Sequence, residues 1–109
     1  MRIAQLSSRF YATGQITADD LDIIAAKGFR SVVNNRPDDE GGAGQPKSED
    51  LAAAAAELGI TYVYVPVVSG RITEKDVEDF RQACIDLGGP ILLFCRTGAR
   101  SSMLWQLSN

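Results

Sequence analysis

One run of residues, Ile91-Leu92-Leu93-Phe94, constrains this chain more than any other feature. All four are apolar, and no polar residue interrupts them at every second position. A strand with one wet face alternates; a strand without alternation is covered on both faces. Cover on both faces requires helices above and below a largely parallel sheet. Pro90 opens the run, and the loop Cys95-Arg96-Thr97-Gly98-Ala99-Arg100 follows it. A helix is predicted to begin near Ser101.

The rest of the chain alternates in the way such a sheet needs. Phe10-Tyr11-Ala12-Thr13 is a strand before the turn residue Gly14. Thr17 to Asp20 has the spacing of a capping box, with Asp in place of Glu or Gln. Leu21, Ile24 and Ala25 then recur at helical spacing, and Gly28 suits a C-terminal cap. Arg30 to Asn34 reads as a buried strand around Val32-Val33. Residues 35–47 form a long loop rich in Gly, Pro and Asp, of a length often given to function. Ser48 reads as the cap of a second helix with the stripe Leu51, Ala54, Ala55 and Leu58. Tyr62-Val63-Tyr64-Val65 is a third strand. Thr73 starts a third helix with Val77, Phe80, Cys84 and Leu87 on one face. The result is one α/β domain over residues 1–109. Its last helix is short, which suggests a piece of a longer protein.

Bulk properties exclude several function classes. With 109 residues, 45% apolar and 23% charged, the chain suits one globular core. A net charge of -3 argues against nucleic acid as a partner. No apolar run is long enough for a membrane span. No secretory leader is visible, and two cysteines make no disulfide framework, so a reducing cytoplasm is the expected setting. Histidine is absent altogether. That excludes Ser-His-Asp and Cys-His catalysis and most zinc sites, and the chain calls for no metal or cofactor.

The Cys95 loop carries the chemistry. Between a buried strand and a helix, its N–H groups can turn inward and form an anion cradle with the helix dipole. Gly98 permits the bend, and Arg100 can grip an oxyanion with two prongs. Such a setting lowers a cysteine pKa and makes Cys95 a thiolate nucleophile. Cys84, on an apolar helix face, reads instead as a small buried hydrophobe.

The stretch Cys95 to Ser101 resembles the active-site loop of rhodanese-type sulfurtransferases. It also resembles the His-Cys-x5-Arg-Ser/Thr loop of cysteine-dependent protein tyrosine phosphatases, with two departures. Phe94 replaces the His, and the spacing is C-x4-R. The segments Phe10–Ile16, Val32–Asp38 and Tyr64–Val67 resemble the dual-specificity phosphatase scaffold. More narrowly, they are similar to bacterial beta-lactamase-hydrolase-like, or phosphatase-like, proteins. The resemblance implies a three-layer sandwich with a mainly parallel central sheet, of the phosphotyrosine protein phosphatase II type. Some of these proteins are sulfurtransferases, and some are fused to a domain resembling persulfide dioxygenases, which makes such a domain, fused or separate, an expected partner.

On these grounds sulfur transfer is the first expectation. Cys95 takes sulfane sulfur from thiosulfate or a persulfide and passes it to a thiol or other acceptor. Arg100 and Ser101 assist Cys95. Arg96, Thr97, Gly98 and Ala99 surround the anion, with Arg36 and Arg71 as further anion-binding candidates. The alternatives are phosphoester hydrolysis through a cysteinyl phosphate and a non-catalytic anion-binding module. Val67 to Ile72, where this scaffold carries its general acid, holds no carboxylate. In the phosphatase alternative Asp38 and Asp39, in the long loop, are the candidates to substitute as the acid.

Overall fold

The computed structural model describes residues 1–109. Five strands form one sheet: β1 (Ala4–Gln5), β2 (Phe10–Thr13), β3 (Ser31–Asn34), β4 (Thr61–Tyr64) and β5 (Ile91–Phe94). Their spatial order is β1-β2-β5-β3-β4, which puts β5 in the middle. All pairings are parallel except the β1–β2 hairpin. Four helices connect or follow the strands: α1 (Ala18–Ala26), α2 (Ser48–Glu57), α3 (Glu74–Cys84) and α4 (Ala99–Ser108).

The unbroken apolar run of β5 is covered on both faces, as a strand without alternation should be. Its residues Ile91, Leu92, Leu93 and Phe94 are all 0% exposed. Leu92 and Phe94 join Val32, Leu21, Ile24, Leu51 and Ala55 in the core beneath α1 and α2. Ile91 and Leu93 join Val33, Phe80, Cys84 and Leu104 in the core beneath α3 and α4. One strand thus feeds two cores by pointing successive side chains to opposite faces. The three-layer sandwich with a mainly parallel sheet is the architecture found.

Local sequence rules place the helix starts well where they are self-contained. Thr17 and Thr73 each close a reciprocal capping box, with Asp20 and Asp76. Three expectations are corrected. Ser48 does not cap α2; Lys47 is the N-cap, and the Ser48 N–H donates to Asp38 Oδ1 at 2.8 Å. Leu58 lies just past α2 and is 38% exposed, so the buried stripe is Leu51 and Ala55. The last helix starts at Ala99, not Ser101, because Gly98 turns the chain in a left-handed conformation (φ +95°).

The parallel register aligns the strand ends. Thr13 and Asn34 pair with Phe94, and Tyr64 pairs with Asn34. The loops that leave β2, β3, β4 and β5 therefore open on one edge of the sheet, where open α/β sheets bind their ligands.

Candidate active site

Cys95 is the first residue beyond β5, so the buried strand delivers it to that edge. Asn35 clamps the turn from below. Its N–H donates to the Phe94 carbonyl at 2.8 Å, and its Nδ2 donates to the Val65 carbonyl at 3.0 Å. The Ser101 hydroxyl donates to Asn35 Oδ1 at 2.8 Å. The Gln15 N–H holds the Arg96 carbonyl at 3.2 Å. Gly14 is required at this approach: a Cβ there would stand 3.0 Å from the Arg96 carbonyl oxygen.

The loop wraps the sulfur as an anion cradle does. The Gly98 N–H donates to Cys95 Sγ at 3.0 Å. Burial pushes the Cys95 thiol up, but hydrogen bonds from the Ser101 and Thr97 N–H groups, the Ser101 hydroxyl and the Gly98 N–H outweigh it. The pKa ends below the ordinary thiol value. The Ser101 hydroxyl has one proton, and its geometry directs that proton to Asn35, so the backbone N–H groups carry the effect. Thiolate stabilisation comes chiefly from short-range donors, the inward N–H groups expected of the loop; no arginine is among its main causes. Cys84 is the contrast. It is 5% exposed within the α3–α4 core, and burial pushes its pKa to about 11.

A cleft of about 550 Å³ opens above Cys95. Arg36, Glu40, Arg96, Thr97, Ala99 and Arg100 are among its walls. Cys95 itself is only 1% exposed, at the floor. Of the residues expected here from sequence, Arg71 does not line the cleft and its side chain is exposed. Asp38 and Asp39 do not line it either. Asp38 caps α2 and takes the Tyr64 hydroxyl on its own N–H at 2.9 Å. The Asp39 side chain is 80% exposed, 3.9 Å from Lys47.

The carboxylate that does line the cleft is Glu40, which the sequence did not single out. Its oxygens accept from Arg100 Nη1 and Nη2 at 3.0 and 3.1 Å. Oε1 also accepts from Arg36 Nε at 2.9 Å. Arg100, and after it Arg36, hold Glu40 below the usual carboxylate range, so it is ionised. The spacing Arg36 to Glu40, a cation and an anion four apart inside the long loop, was the available signal.

The two cysteines give a direct expectation. Cys95 should react with iodoacetamide at a pH below the free-thiol range, and Cys84 should stay unlabelled until the chain unfolds. Site-resolved mass spectrometry across pH checks it; equal labelling of both would refute the cradle.

Fold and cleft together define a phosphatase-like α/β domain. The core catalytic domain of the PP-IP phosphatase SIW14 of S. cerevisiae superposes with a TM-score of 0.73 at 15% identity, covering 94% of this chain and 60% of that one, a likeness of fold. The chain belongs to the family described as "Beta-lactamase hydrolase-like protein, phosphatase-like domain", which its residues 2–109 match. A candidate phosphatase from Neisseria meningitidis Z2491 is similar at 36% identity and TM-score 0.87, over 96% of this chain and 74% of that one. A beta-lactamase hydrolase-like protein of Xylella fastidiosa (strain 9a5c) is 38% identical over 108 residues, 99% of this chain. The chain spans about a quarter of that relative's length. No helix is long and apolar enough to cross a membrane.

Proposed function

We propose that this domain acts on small anionic substrates by nucleophilic attack of the Cys95 thiolate, and that phosphoester hydrolysis is the reaction. The observation that carries the proposal is the cradle itself: a sulfur of lowered pKa at the floor of a cleft walled by Arg96 and Arg100. The likeness to phosphatases supports phosphorus as the centre attacked. An S–P bond forms as the P–O bond to the leaving group breaks. Water then attacks the phosphocysteine and returns phosphate and thiolate.

The cleft limits which esters qualify. Its one carboxylate, Glu40, is ionised and held by two arginines, so it is not a proton donor. Aryl and acyl phosphates, whose aryloxide or carboxylate departs as a stable anion, suit a site without a general acid.

The same observation favours a second reading, sulfur transfer. Thiolate attack on the outer sulfur of thiosulfate forms an S–S bond and releases sulfite, with no proton donor needed. The Cys95 persulfide then gives its outer sulfur to a thiol. In this reading a persulfide-dioxygenase-like domain, fused or separate, is the partner that consumes the product.

A side-by-side assay separates the readings: p-nitrophenyl phosphate against thiosulfate or glutathione persulfide, with the adduct on Cys95 identified by mass spectrometry. A phosphoryl adduct and aryl phosphate turnover support hydrolysis; a persulfide and no phosphate release support sulfur transfer. In either case Asp38→Asn and Asp39→Asn should leave turnover within about twofold, since neither carboxylate lines the cleft. Loss of aryl phosphatase activity in one of them would restore it as the acid.

A further inference from the structure

We propose that Glu40 is a positioning residue for the anion site: it holds Arg100 end-on and so presents the side-on edge of that guanidinium to an oxyanion over Cys95. The proposal rests on the reading that the substrate's anion binds there.

The donor hydrogens of Arg100 carry the argument. A guanidinium has five of them in a fixed plane. Nη1 gives one to Glu40 Oε2 at 3.0 Å and one to the Val67 carbonyl at 3.0 Å, and Nη2 gives one to Glu40 Oε1 at 3.1 Å. The two left over are Nε–H and the outer hydrogen of Nη2, which lie side by side on one edge. Nε is buried and has no partner in the protein. The Arg100 side chain is 8% exposed and lines the cleft above Cys95. The remaining edge is a two-pronged donor of the kind that matches an oxyanion.

That edge is useful only if the plane of the guanidinium is fixed. The Val67 carbonyl alone holds one corner, about which the flat group can pivot. Two parallel contacts to a carboxylate hold the plane itself. Glu40 is in turn anchored, since its Oε1 accepts from Arg36 Nε at 2.9 Å. Arg36 is buried; its Nη1 donates to Gln15 Oε1 at 3.0 Å and its N–H to Asn34 Oδ1 at 2.8 Å. Arg100 thus meets Glu40 on one edge and the anion on the next. The Glu40 charge repels the anion, so its gain is geometric, and this gives the test its sign.

The test reads anion binding alone. Neutral iodoacetamide labels Cys95, and inorganic phosphate or sulfate protects it; the concentration for half protection gives the affinity. Glu40→Gln removes a negative charge beside the anion, which by itself would tighten binding. It also turns one of the two acceptors facing Arg100 into a donor, and binding should instead weaken about tenfold. Glu40→Asp keeps the charge, but one methylene shorter it cannot reach both Nη atoms, and binding should weaken severalfold. Without anion, the pH profile of labelling should not move up in either variant, because the Gly98 N–H on Cys95 Sγ is untouched. Unchanged or tighter binding in Glu40→Gln would overturn the proposal and leave Glu40 a counter-charge only. Binding by Glu40→Asp equal to that of the unaltered protein would also overturn it, since charge rather than reach would then decide. A labelling profile shifted toward the free thiol would overturn it too, by making Glu40 a support of the whole cradle. No protection in any protein, the unaltered one included, would remove the anion from the cradle and take the proposed function with it. Labelling of Cys84 reports unfolding, and if Glu40→Gln unfolds, Glu40→Asp alone decides.

Discussion

Changing Cys95 to serine is expected to abolish turnover of both aryl phosphate and sulfane-sulfur donors, by about four orders of magnitude or more. The cradle lowers the pKa of a thiol that starts near 9.0. A serine hydroxyl starts far higher, and the same donors cannot bring it to an alkoxide at neutral pH. No second nucleophile stands ready. The Ser101 hydroxyl is buried and committed to Asn35, and Cys84 lies in the α3–α4 core. The fold should be unaffected, since an oxygen replaces a sulfur at a single buried position, and circular dichroism and Tm can verify that. In the unaltered protein the rate should fall as pH drops through the Cys95 pKa. The folded environment favours the thiolate, so this loss should set in at a lower pH than an ordinary thiol would show. Aryl phosphate hydrolysis surviving in Cys95→Ser within about tenfold would show a reaction that does not pass through sulfur.

The fold was legible because its decisive signals are local. Ile91 to Phe94 announces a doubly covered strand by its composition, and β5 is central for that reason. The Thr17 and Thr73 boxes each lie within four residues, so no tertiary partner was needed to see them. The β1 hairpin was not legible. Ala4 and Gln5 are exposed, carry no alternating pattern, and are a strand only because Tyr11 and Ala12 pair with them. The cap of α2 failed for the same reason. Ser48 has the right residue type, but Asp38, ten residues earlier, supplies the oxygen that the helix end needs.

The site divides along the same line. Cys95, Gly98 and Arg100 lie within six residues at the junction of β5 and α4, and their spacing could be interpreted without a partner. Asn35 and Glu40 could not be found this way. Asn35 lies 66 residues from Ser101, and Glu40 lies 60 from Arg100. Only the parallel register, which sets the end of β3 beside the end of β5, brings them together. Asp38 and Asp39 have the same charge as Glu40 and precede it directly, yet the turn sends one to α2 and the other to solvent. Asp39 adopts a left-handed conformation (φ +68°) immediately before Glu40. Composition identified an acidic loop; backbone geometry chose which acid enters the cleft.

Gly98→Ala should damage stability and chemistry together, and the coupling between them is the informative part. Gly98 has φ +95°, a conformation that an L side chain occupies only under strain. An alanine Cβ there would stand 3.3 Å from the carbonyl carbon and oxygen of Thr13. Those atoms cannot retreat easily, because Thr13 is held in register against Phe94. Strain of this kind costs about 1–3 kcal/mol, or a Tm lower by roughly 4–8 °C per kcal/mol for a domain of this size. The peptide cannot relax freely either. The Gly98 N–H holds Cys95 Sγ, and its carbonyl accepts from the Ser102 N–H and hydroxyl at 3.0 and 2.9 Å. Turning that peptide to relieve strain would take a donor from the sulfur. The pH of half-maximal alkylation at Cys95 should therefore move up toward the free-thiol value, and turnover at neutral pH should fall about tenfold to a hundredfold. Gly44→Ala is the matched control. Gly44 is not at positive φ and a Cβ there meets nothing within 4 Å, so both readouts should stay put. If Gly98→Ala lowered Tm and left the alkylation profile unchanged, the loop would be a structural turn. The low pKa of Cys95 would then have to come from Ser101 and Thr97 alone.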